Sequence, residues 1–305
     1  MQKFWEGQND ILRKVLNNKK NLLLLLIFFL TSGFLSFNLW FFFAKPAPLS
    51  PIPGELASKN LPQKSFGEIL SQTPTPKPQI AGVQITGKVT IALLGDSMID
   101  TMGDLKNLQI ALSQYYPKIE FNLLNYGVGS TKPADGLARL TQEVTTETKK
   151  LPALLLAKPD IVILESFAYN HGTNTQSEIN NHYQILGQII TKLQQSKITP
   201  LFLVTIAPAT NFAKNAPGVL WDENQRTLET KTVLSYLKAG LDFFKTQKLI
   251  LVDSFTPSLE PTGFGKQVYV NSNDNIHPSQ EGIELISDLI AQKIAESKLV
   301  EKVLD

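Results

Sequence analysis

A serine, a histidine and an aspartate in this sequence have the types and spacing of an acid–base catalytic set. Ser97 follows a short apolar run in Leu94-Gly95-Asp96-Ser97-Met98, so its hydroxyl is expected at a strand-to-helix turn. Asp274 precedes His277 by three residues, so its carboxylate can fold back to the ring Nδ1 and leave Nε2 facing a hydroxyl. The pattern predicts Ser97 as nucleophile, His277 as general base and Asp274 as the residue that orients the base.

Each of these signals has a simpler interpretation when it is taken alone. Ser97 could cap a helix, and His277 could be a surface histidine in a polar loop. The sequence has three histidines, and His171 and His182 are weaker candidates for the base because no comparable Asp or Glu lies near them in the chain. The combination with Asp274 therefore favours His277.

Two further segments contain groups that could stabilise an oxyanion. The run Asn125-Tyr126-Gly127-Val128-Gly129-Ser130-Thr131 follows an apolar stretch, and its glycines allow backbone N–H groups to point into a cleft. Asn170 follows another apolar stretch and could donate its side-chain amide. A flexible loop and an ordinary turn are the alternative interpretations of these two segments.

Short apolar runs alternate with longer amphipathic stretches from residue 88 onward. This alternation predicts a doubly wound α/β domain, in which sites form beyond the carboxyl ends of the parallel strands. The strand candidates are 89–95, 119–125, 160–166, 199–206 and 249–254, and the helix candidates are 102–115, 134–149, 177–195, 223–246 and 279–297.

These motifs together resemble those of the SGNH hydrolase superfamily, the GDSL esterases and lipases. The matched pieces are Gly95-Asp96-Ser97, Asn125 to Ser130, Asn170 and Asp274-Asn-Ile-His277, spread over residues 88–299. The resemblance implies a flavodoxin-like three-layer αβα fold with five parallel strands. It implies that Ser97 attacks an ester carbonyl with His277 and Asp274 as its partners. The Ser97 N–H, a glycine N–H and the Asn170 side chain would hold the oxyanion.

The sequence departs from the family pattern at two places. Ser130 occupies the position of the oxyanion glycine, with Gly129 next to it, so either N–H could serve as the donor. The usual G-x-N-D after the third strand is absent, and Asn170 comes one residue late when the segment is aligned from Glu165. Asn174 is a second candidate for the amide donor.

The N-terminal region predicts a membrane anchor. No residue from Leu22 to Phe43 is charged, and a helix of that length spans about 33 Å, enough for a bilayer core. We therefore divide the chain into a basic cytoplasmic N-terminus (1–21), a transmembrane helix (22–44), a Pro-rich linker (45–87) and a hydrolase-like domain (88–305). A cleavable signal peptide and a buried soluble helix are the alternatives for the apolar segment.

The distribution of cations gives the expected orientation of this anchor. Five cations precede the apolar segment, and Lys45 alone follows it closely, so the N-terminus should be cytoplasmic and the C-terminal domain extracytoplasmic. The expected partners are the membrane and an ester substrate, such as a cell-envelope glycan or lipid. The formal net charge of +2 gives no indication of nucleic-acid binding.

The sequence thus predicts a serine esterase that acts on acyl or acetyl esters and requires no metal ion or organic cofactor. There are no cysteines, which excludes disulfides, thiolate nucleophiles and thiolate metal sites. Two alternatives remain at this stage. The same triad could transfer the acyl group to a sugar hydroxyl instead of water, or the domain could be a non-catalytic surface-binding module on the same scaffold.

Overall fold

The structure is a computed structural model and describes residues 85–305 of the chain. The strands are β1 (Gly87–Gly95), β2 (Ile119–Gly127), β3 (Val144–Thr145), β4 (Lys150–Leu151), β5 (Ile161–Glu165), β6 (Thr199–Val204) and β7 (Ile250–Asp253). The helices are α1 (Ser97–Asp100), α2 (Lys106–Tyr115), α3 (Pro133–Ala138), α4 (Leu154–Ala157), α5 (Gln176–Gln195), α6 (Glu223–Gln247), α7 (Phe255–Ser258), α8 (Gln280–Glu296) and α9 (Leu299–Leu304). Two 3₁₀ turns cover Ala168–Asn170 and Gln267–Tyr269.

The main sheet has five strands in the order β2-β1-β5-β6-β7, and every neighbouring pair in it is parallel. This confirms the predicted five-stranded parallel sheet with flanking helices. Because all five strands run the same way, their carboxyl ends meet at one edge of the sheet. The segments that follow β1, β2 and β5 are the ones in which the sequence placed its candidate residues.

Helices cover both faces of the sheet, which explains the continuous apolar runs of the strands. Along β1, Ile91 and Leu93 pack with α2 and α8, whereas Ala92 and Leu94 pack with α5 and α6. Side chains alternate between faces along a strand, so both sets must be apolar when each face carries a helical layer. All four of these side chains are fully buried, and the result is a three-layer αβα domain.

The main error of the sequence-based prediction lies between β2 and β5. The candidate helix 134–149 is wrong: α3 ends at Ala138, and the two-stranded antiparallel hairpin β3–β4 follows. The segment Val144-Thr145-Thr146 is β-branched, and β-branched residues favour strands over helices. The candidate helix 102–115 is also too long at its start, because α2 begins at Lys106.

The predicted basic N-terminus, the transmembrane helix and all but the last residues of the predicted linker lie outside the described residues. Within residues 85–305, no helix has both the length and the apolar character needed to cross a bilayer.

Candidate active site

The turn after β1 presents Ser97 at the start of α1. The Asp96 side chain caps this helix, since its Oδ1 accepts a hydrogen bond from the Met98 N–H at 2.8 Å. The φ of Gly95 is not positive, so glycine is needed at this position for lack of space and not for a left-handed conformation. A Cβ there would lie 2.4 Å from the Ile99 side chain and 2.9 Å from that of Glu165.

Asp274 and His277 form the contact that their spacing predicted. The His277 Nδ1 lies 2.8 Å from Asp274 Oδ2, while Asp274 Oδ1 accepts the backbone N–H groups of Ile276 at 2.8 Å and His277 at 3.1 Å. Partial burial raises the pKa of Asp274, but these hydrogen bonds outweigh burial and the pKa lies below its ordinary value. The carboxylate is therefore ionised at neutral pH, and it fixes Nδ1 as the protonated nitrogen of a neutral ring.

The structure does not join Ser97 to His277 by a hydrogen bond. Within residues 85–305 the Ser97 hydroxyl and the His277 Nε2 have no hydrogen-bond partner at all. His277 is nevertheless close enough to this turn that its charge, when the ring is protonated, partly offsets the burial that raises the pKa of Asp96. Bonds between nucleophile and base are often long before a substrate complex forms, so the triad stays a prediction.

Asn170 lies beside the nucleophile turn despite its one-residue shift in the sequence. Its Nδ2 donates to Asp96 Oδ2 at 2.9 Å. A left-handed Phe167 (φ +53°) and the 3₁₀ turn that follows it accommodate the extra residue. Each amide nitrogen carries two protons, so one N–H of Asn170 remains for another acceptor. No described contact links the exposed Asn174 to this turn.

The loop after β2 contains the two candidate backbone donors, Gly129 and Ser130, which differ in whether the N–H already has a hydrogen-bond partner. The Gly129 N–H donates to Asp100 Oδ2 at 3.3 Å. The Ser130 N–H has no partner within the described part of the chain. Ser130 also adopts a left-handed conformation with φ +58°, which a glycine would adopt without strain.

The other two histidines are engaged elsewhere. His171 has a carboxylate partner that is distant in the sequence: its Nε2 lies 3.5 Å from Glu229 on α6, and its Nδ1 lies 2.6 Å from the Gly172 carbonyl. His182 Nε2 lies 2.7 Å from the Ser166 carbonyl, and burial lowers the pKa of His182 to about 4. Of the three histidines, only His277 has a hydrogen bond from a ring nitrogen to a carboxylate within the described residues.

Several charged residues around the turn were not predicted from the sequence. Asp96 and Glu165 are fully buried, and burial raises the pKa of both carboxyls above their ordinary values. The Lys149 Nζ, on the β3–β4 hairpin, contacts Asp100 and donates to the Gly127 carbonyl at 2.8 Å. Lys149 was overlooked because its segment was expected to be helical.

A cavity of about 620 Å³ lies next to the acid–base pair. The cavity is lined by Asp274, by His277 and by Thr101, which directly follows α1. Amide and hydroxyl side chains, which include Gln267 and Asn271, complete the lining. The loops 167–178 and 207–222 do not line this cavity. The second loop instead packs against the His277 loop, where the Ala213 N–H donates to the Asn275 carbonyl at 3.0 Å.

Residues 85–305 contain no cluster of three or more side chains placed to hold a metal ion. No family model matches the sequence, and no curated protein matches it.

The solved structures that this chain resembles include bacterial lipases and esterases. The lipase/acylhydrolase from Enterococcus faecalis has a TM-score of 0.51 at 18% identity, covering 68% of this chain and 96% of its own. A GDSL-like lipase from Bacteroides thetaiotaomicron has a TM-score of 0.49 at 13% identity, covering 68% of this chain and 88% of its own. An acetylxylan esterase from Geobacillus stearothermophilus has a TM-score of 0.48 at 14% identity, covering 70% of this chain and 96% of its own. The likeness to the first of these shows that the C-terminal domain shares the α/β fold of that lipase/acylhydrolase.

Proposed function

We propose that this protein is a serine esterase that hydrolyses acyl or acetyl esters through Ser97, His277 and Asp274. The observation that carries the proposal is the 2.8 Å contact between His277 Nδ1 and Asp274 Oδ2. This contact fixes the imidazole tautomer in which Nε2 can accept a proton. The fold supports the same activity, since serine chemistry at the turn after the first strand is typical of SGNH hydrolases.

The reaction proceeds in two steps that use the same three residues. Ser97 Oγ attacks the ester carbonyl carbon while its proton passes to His277 Nε2, and the tetrahedral intermediate then expels the alcohol, which takes that proton. In the second step water attacks the acyl-enzyme and gives its proton to His277. Collapse of this intermediate releases the acid and returns the proton to Ser97. The Asp274 carboxylate stabilises the imidazolium that forms in each step.

Three donors would hold the oxyanion: the backbone N–H groups of Ser97 and Ser130 and the second amide N–H of Asn170. The first two have no hydrogen-bond partner within residues 85–305, whereas the Gly129 N–H is occupied by Asp100. This difference favours Ser130 over Gly129 as the backbone donor from the β2 loop. Donors left unpaired in the free enzyme need no rearrangement when charge develops.

The cavity beside His277 supports a polar alcohol group in the substrate. Its amide and hydroxyl side chains, which include Gln267, Asn271 and Ser272, suit a carbohydrate better than a long alkyl chain. Its volume of about 620 Å³ lies within the usual range for small-molecule sites. We therefore propose acetylated or acylated envelope carbohydrate as the first substrate class to test, with lipid esters second.

The proposed location is the outer face of a cytoplasmic membrane, with residues 22–44 as the anchor. The support is the uncharged segment from Leu22 to Phe43 and the excess of cations on its N-terminal side. A domain held there would meet glycans and lipids of the cell envelope.

The test uses the full-length chain in mild detergent. We expect turnover of p-nitrophenyl acetate and release of acetate from acetylated oligosaccharides, with little turnover of p-nitrophenyl palmitate. Ser97→Ala should abolish turnover, and Ser113→Ala, an exposed serine on α2, should leave it unchanged.

Labelling with a fluorophosphonate gives an independent measurement of the nucleophile, because the reagent should react with the wild type and not with Ser97→Ala. A wild-type chain that neither exceeds the buffer rate nor reacts with the fluorophosphonate would overturn the esterase proposal and favour a binding module. Acetyl groups appearing on a supplied glycan instead of free acetate would identify a transferase.

A further inference from the structure

A buried arginine connects the two backbone segments that would form the oxyanion site. Arg139 directly follows α3 and is 6% exposed. Its Nη1 donates to the Gly95 carbonyl at 2.9 Å and also contacts the Tyr126 carbonyl. Its Nη2 donates to Thr131 Oγ1 at 2.9 Å. One guanidinium therefore reaches the end of β1, the end of β2 and the loop that follows β2.

The positions of these acceptors in the chain are what make the contacts informative. Gly95 lies two residues before Ser97, and Thr131 directly follows Ser130. The Thr131 hydroxyl in turn donates to the Val128 carbonyl at 2.6 Å, which closes the turn that contains Ser130. Arg139 thus contacts the nucleophile turn and the Ser130 turn at the same time.

Arg139 forms hydrogen bonds rather than an ion pair in its buried position. No carboxylate of the described residues lies within ion-pair distance of its guanidinium, and its hydrogen-bond acceptors are three backbone carbonyls and one hydroxyl. Removing a cation from water is costly, so a buried arginine needs several well-placed acceptors. A planar guanidinium with five donors can hold acceptors in several directions at once, which a lysine ammonium cannot do with the same geometry.

The left-handed conformation of Ser130 has to be held by hydrogen bonds from neighbouring side chains. A non-glycine residue in this region is strained by about 1–2 kcal/mol, and the conformation persists where the surroundings fix it. The contact from Arg139 to Thr131 and the bond from Thr131 to Val128 fix this turn directly.

We propose that Arg139 is a positioning residue that holds the N–H groups of Ser97 and Ser130 in a fixed relation, so that the oxyanion site is preformed. This inference rests on the esterase proposed above and assigns Arg139 no contact with substrate. Preformed donors stabilise a transition state because they do not have to reorganise as charge develops. The loss of Arg139 should therefore affect the chemical step more than substrate binding.

The experiment compares Arg139→Gln with the wild-type full-length chain on p-nitrophenyl acetate. We expect kcat to fall about 10²-fold with KM changed less than about threefold, as misplacement of catalytic groups predicts. The affinity for an alkylboronic acid, which forms a tetrahedral adduct on the serine, should fall by a similar factor. Arg226→Gln is the matched control, because Arg226 also donates to a backbone carbonyl, that of Trp221, and should retain the wild-type kcat.

A second pair of variants covers the case in which Arg139→Gln does not fold. Thr131→Val keeps the side-chain shape but removes the hydroxyl that Arg139 contacts, and Thr131→Ser keeps that hydroxyl. We expect a fall of about tenfold in kcat for Thr131→Val and less than about twofold for Thr131→Ser. Equal kcat values for the two Thr131 variants, or a folded Arg139→Gln with wild-type kcat, would overturn the positioning role.

Hydrogen exchange separates failure of this inference from failure of the proposed function. Amides of residues 128–131 should exchange faster in Arg139→Gln than in the wild type, whether or not the wild type hydrolyses esters. Faster exchange in an inactive wild-type background would support the structural connection and overturn the esterase proposal. Unchanged exchange would overturn the inference about Arg139.

Discussion

Replacing Asp274 by Asn tests the acid–base pair with little disturbance of its loop. Asp274 Oδ1 accepts two backbone N–H groups, and an Asn carbonyl can accept the same two bonds. The other oxygen, which faces His277 Nδ1 at 2.8 Å, becomes an NH₂ group. An NH₂ group donates, so Nδ1 must become the acceptor and the ring proton moves to Nε2. His277 then cannot accept a proton from Ser97.

The expected loss can be estimated from the electrostatics of the pair. Two unit charges about 4 Å apart interact by about 4 kcal/mol at an effective dielectric constant of about 20. The His277 and Asp274 side chains are 27% and 19% exposed, so solvent screening reduces this to about 2–4 kcal/mol. That amount corresponds to a factor of about 30 to 1,000 in rate, since about 1.36 kcal/mol is a factor of ten. The unfavourable tautomer adds to it, so we expect kcat to fall by about 10³-fold or more.

The assay is steady-state hydrolysis of p-nitrophenyl acetate, with urea unfolding as the measure of stability. Asp253→Asn is the matched control, because Asp253 also accepts bonds from a residue three positions later, the Thr256 N–H at 2.9 Å and its hydroxyl at 2.6 Å, but has no histidine partner. We expect both variants to remain folded and only Asp274→Asn to lose activity. A fall of less than about tenfold in a folded Asp274→Asn protein would refute the assignment of Asp274.

Two further predictions concern stability. Ser130→Gly removes the left-handed strain and should raise the free energy of unfolding by about 0.5–1 kcal/mol with activity retained. Gly127→Ala should lower the free energy of unfolding by more than about 2 kcal/mol, because the new Cβ would lie 2.3 Å from the Asp100 nitrogen. Urea unfolding that ranks the two variants in the opposite order would contradict the geometry of the loop. Burial lowers the pKa of His182 to about 4 from about 6.5 in the unfolded chain, so the unfolded state binds more protons in that window and stability should fall by up to about 3 kcal/mol as the pH drops from 6.5 to 4. The urea midpoint of His182→Gln should depend less on pH between about 4 and 6.5 than that of the wild type. An unchanged pH dependence would exclude His182 as the cause of the loss of stability.

The sequence was sufficient for the sheet because strand signals are local. Strands covered on both faces are continuously apolar, and the runs around Ile91, Ile163 and Leu203 show this without reference to the rest of the chain. The predicted helix 134–149 failed where the local signal was mixed. Helical spacing of apolar residues near Leu140 continued into a β-branched segment at Val144, where the hairpin begins.

The pairing of Asp274 with His277 could be predicted because the two residues are three positions apart, a distance that a single turn spans. The partner of His171 could not be predicted, because Glu229 lies on α6, far along the chain. The contact between Asn170 and Asp96 also depends on a 3₁₀ turn that no local signal indicated.

By itself, the sequence determined the five-stranded α/β architecture, the Asp274–His277 contact and the placement of the candidate residues after strand ends, because each follows from short-range spacing and hydrophobic periodicity. The tertiary structure alone decided which N–H groups are left without hydrogen-bond partners and which cationic side chains contact the backbone next to those N–H groups. Arg139 and Lys149 reach the loops after β1 and β2 from segments that the sequence gives no reason to place there. Such contacts depend on how strands align in the sheet, and that alignment is a property of the whole fold rather than of any one segment.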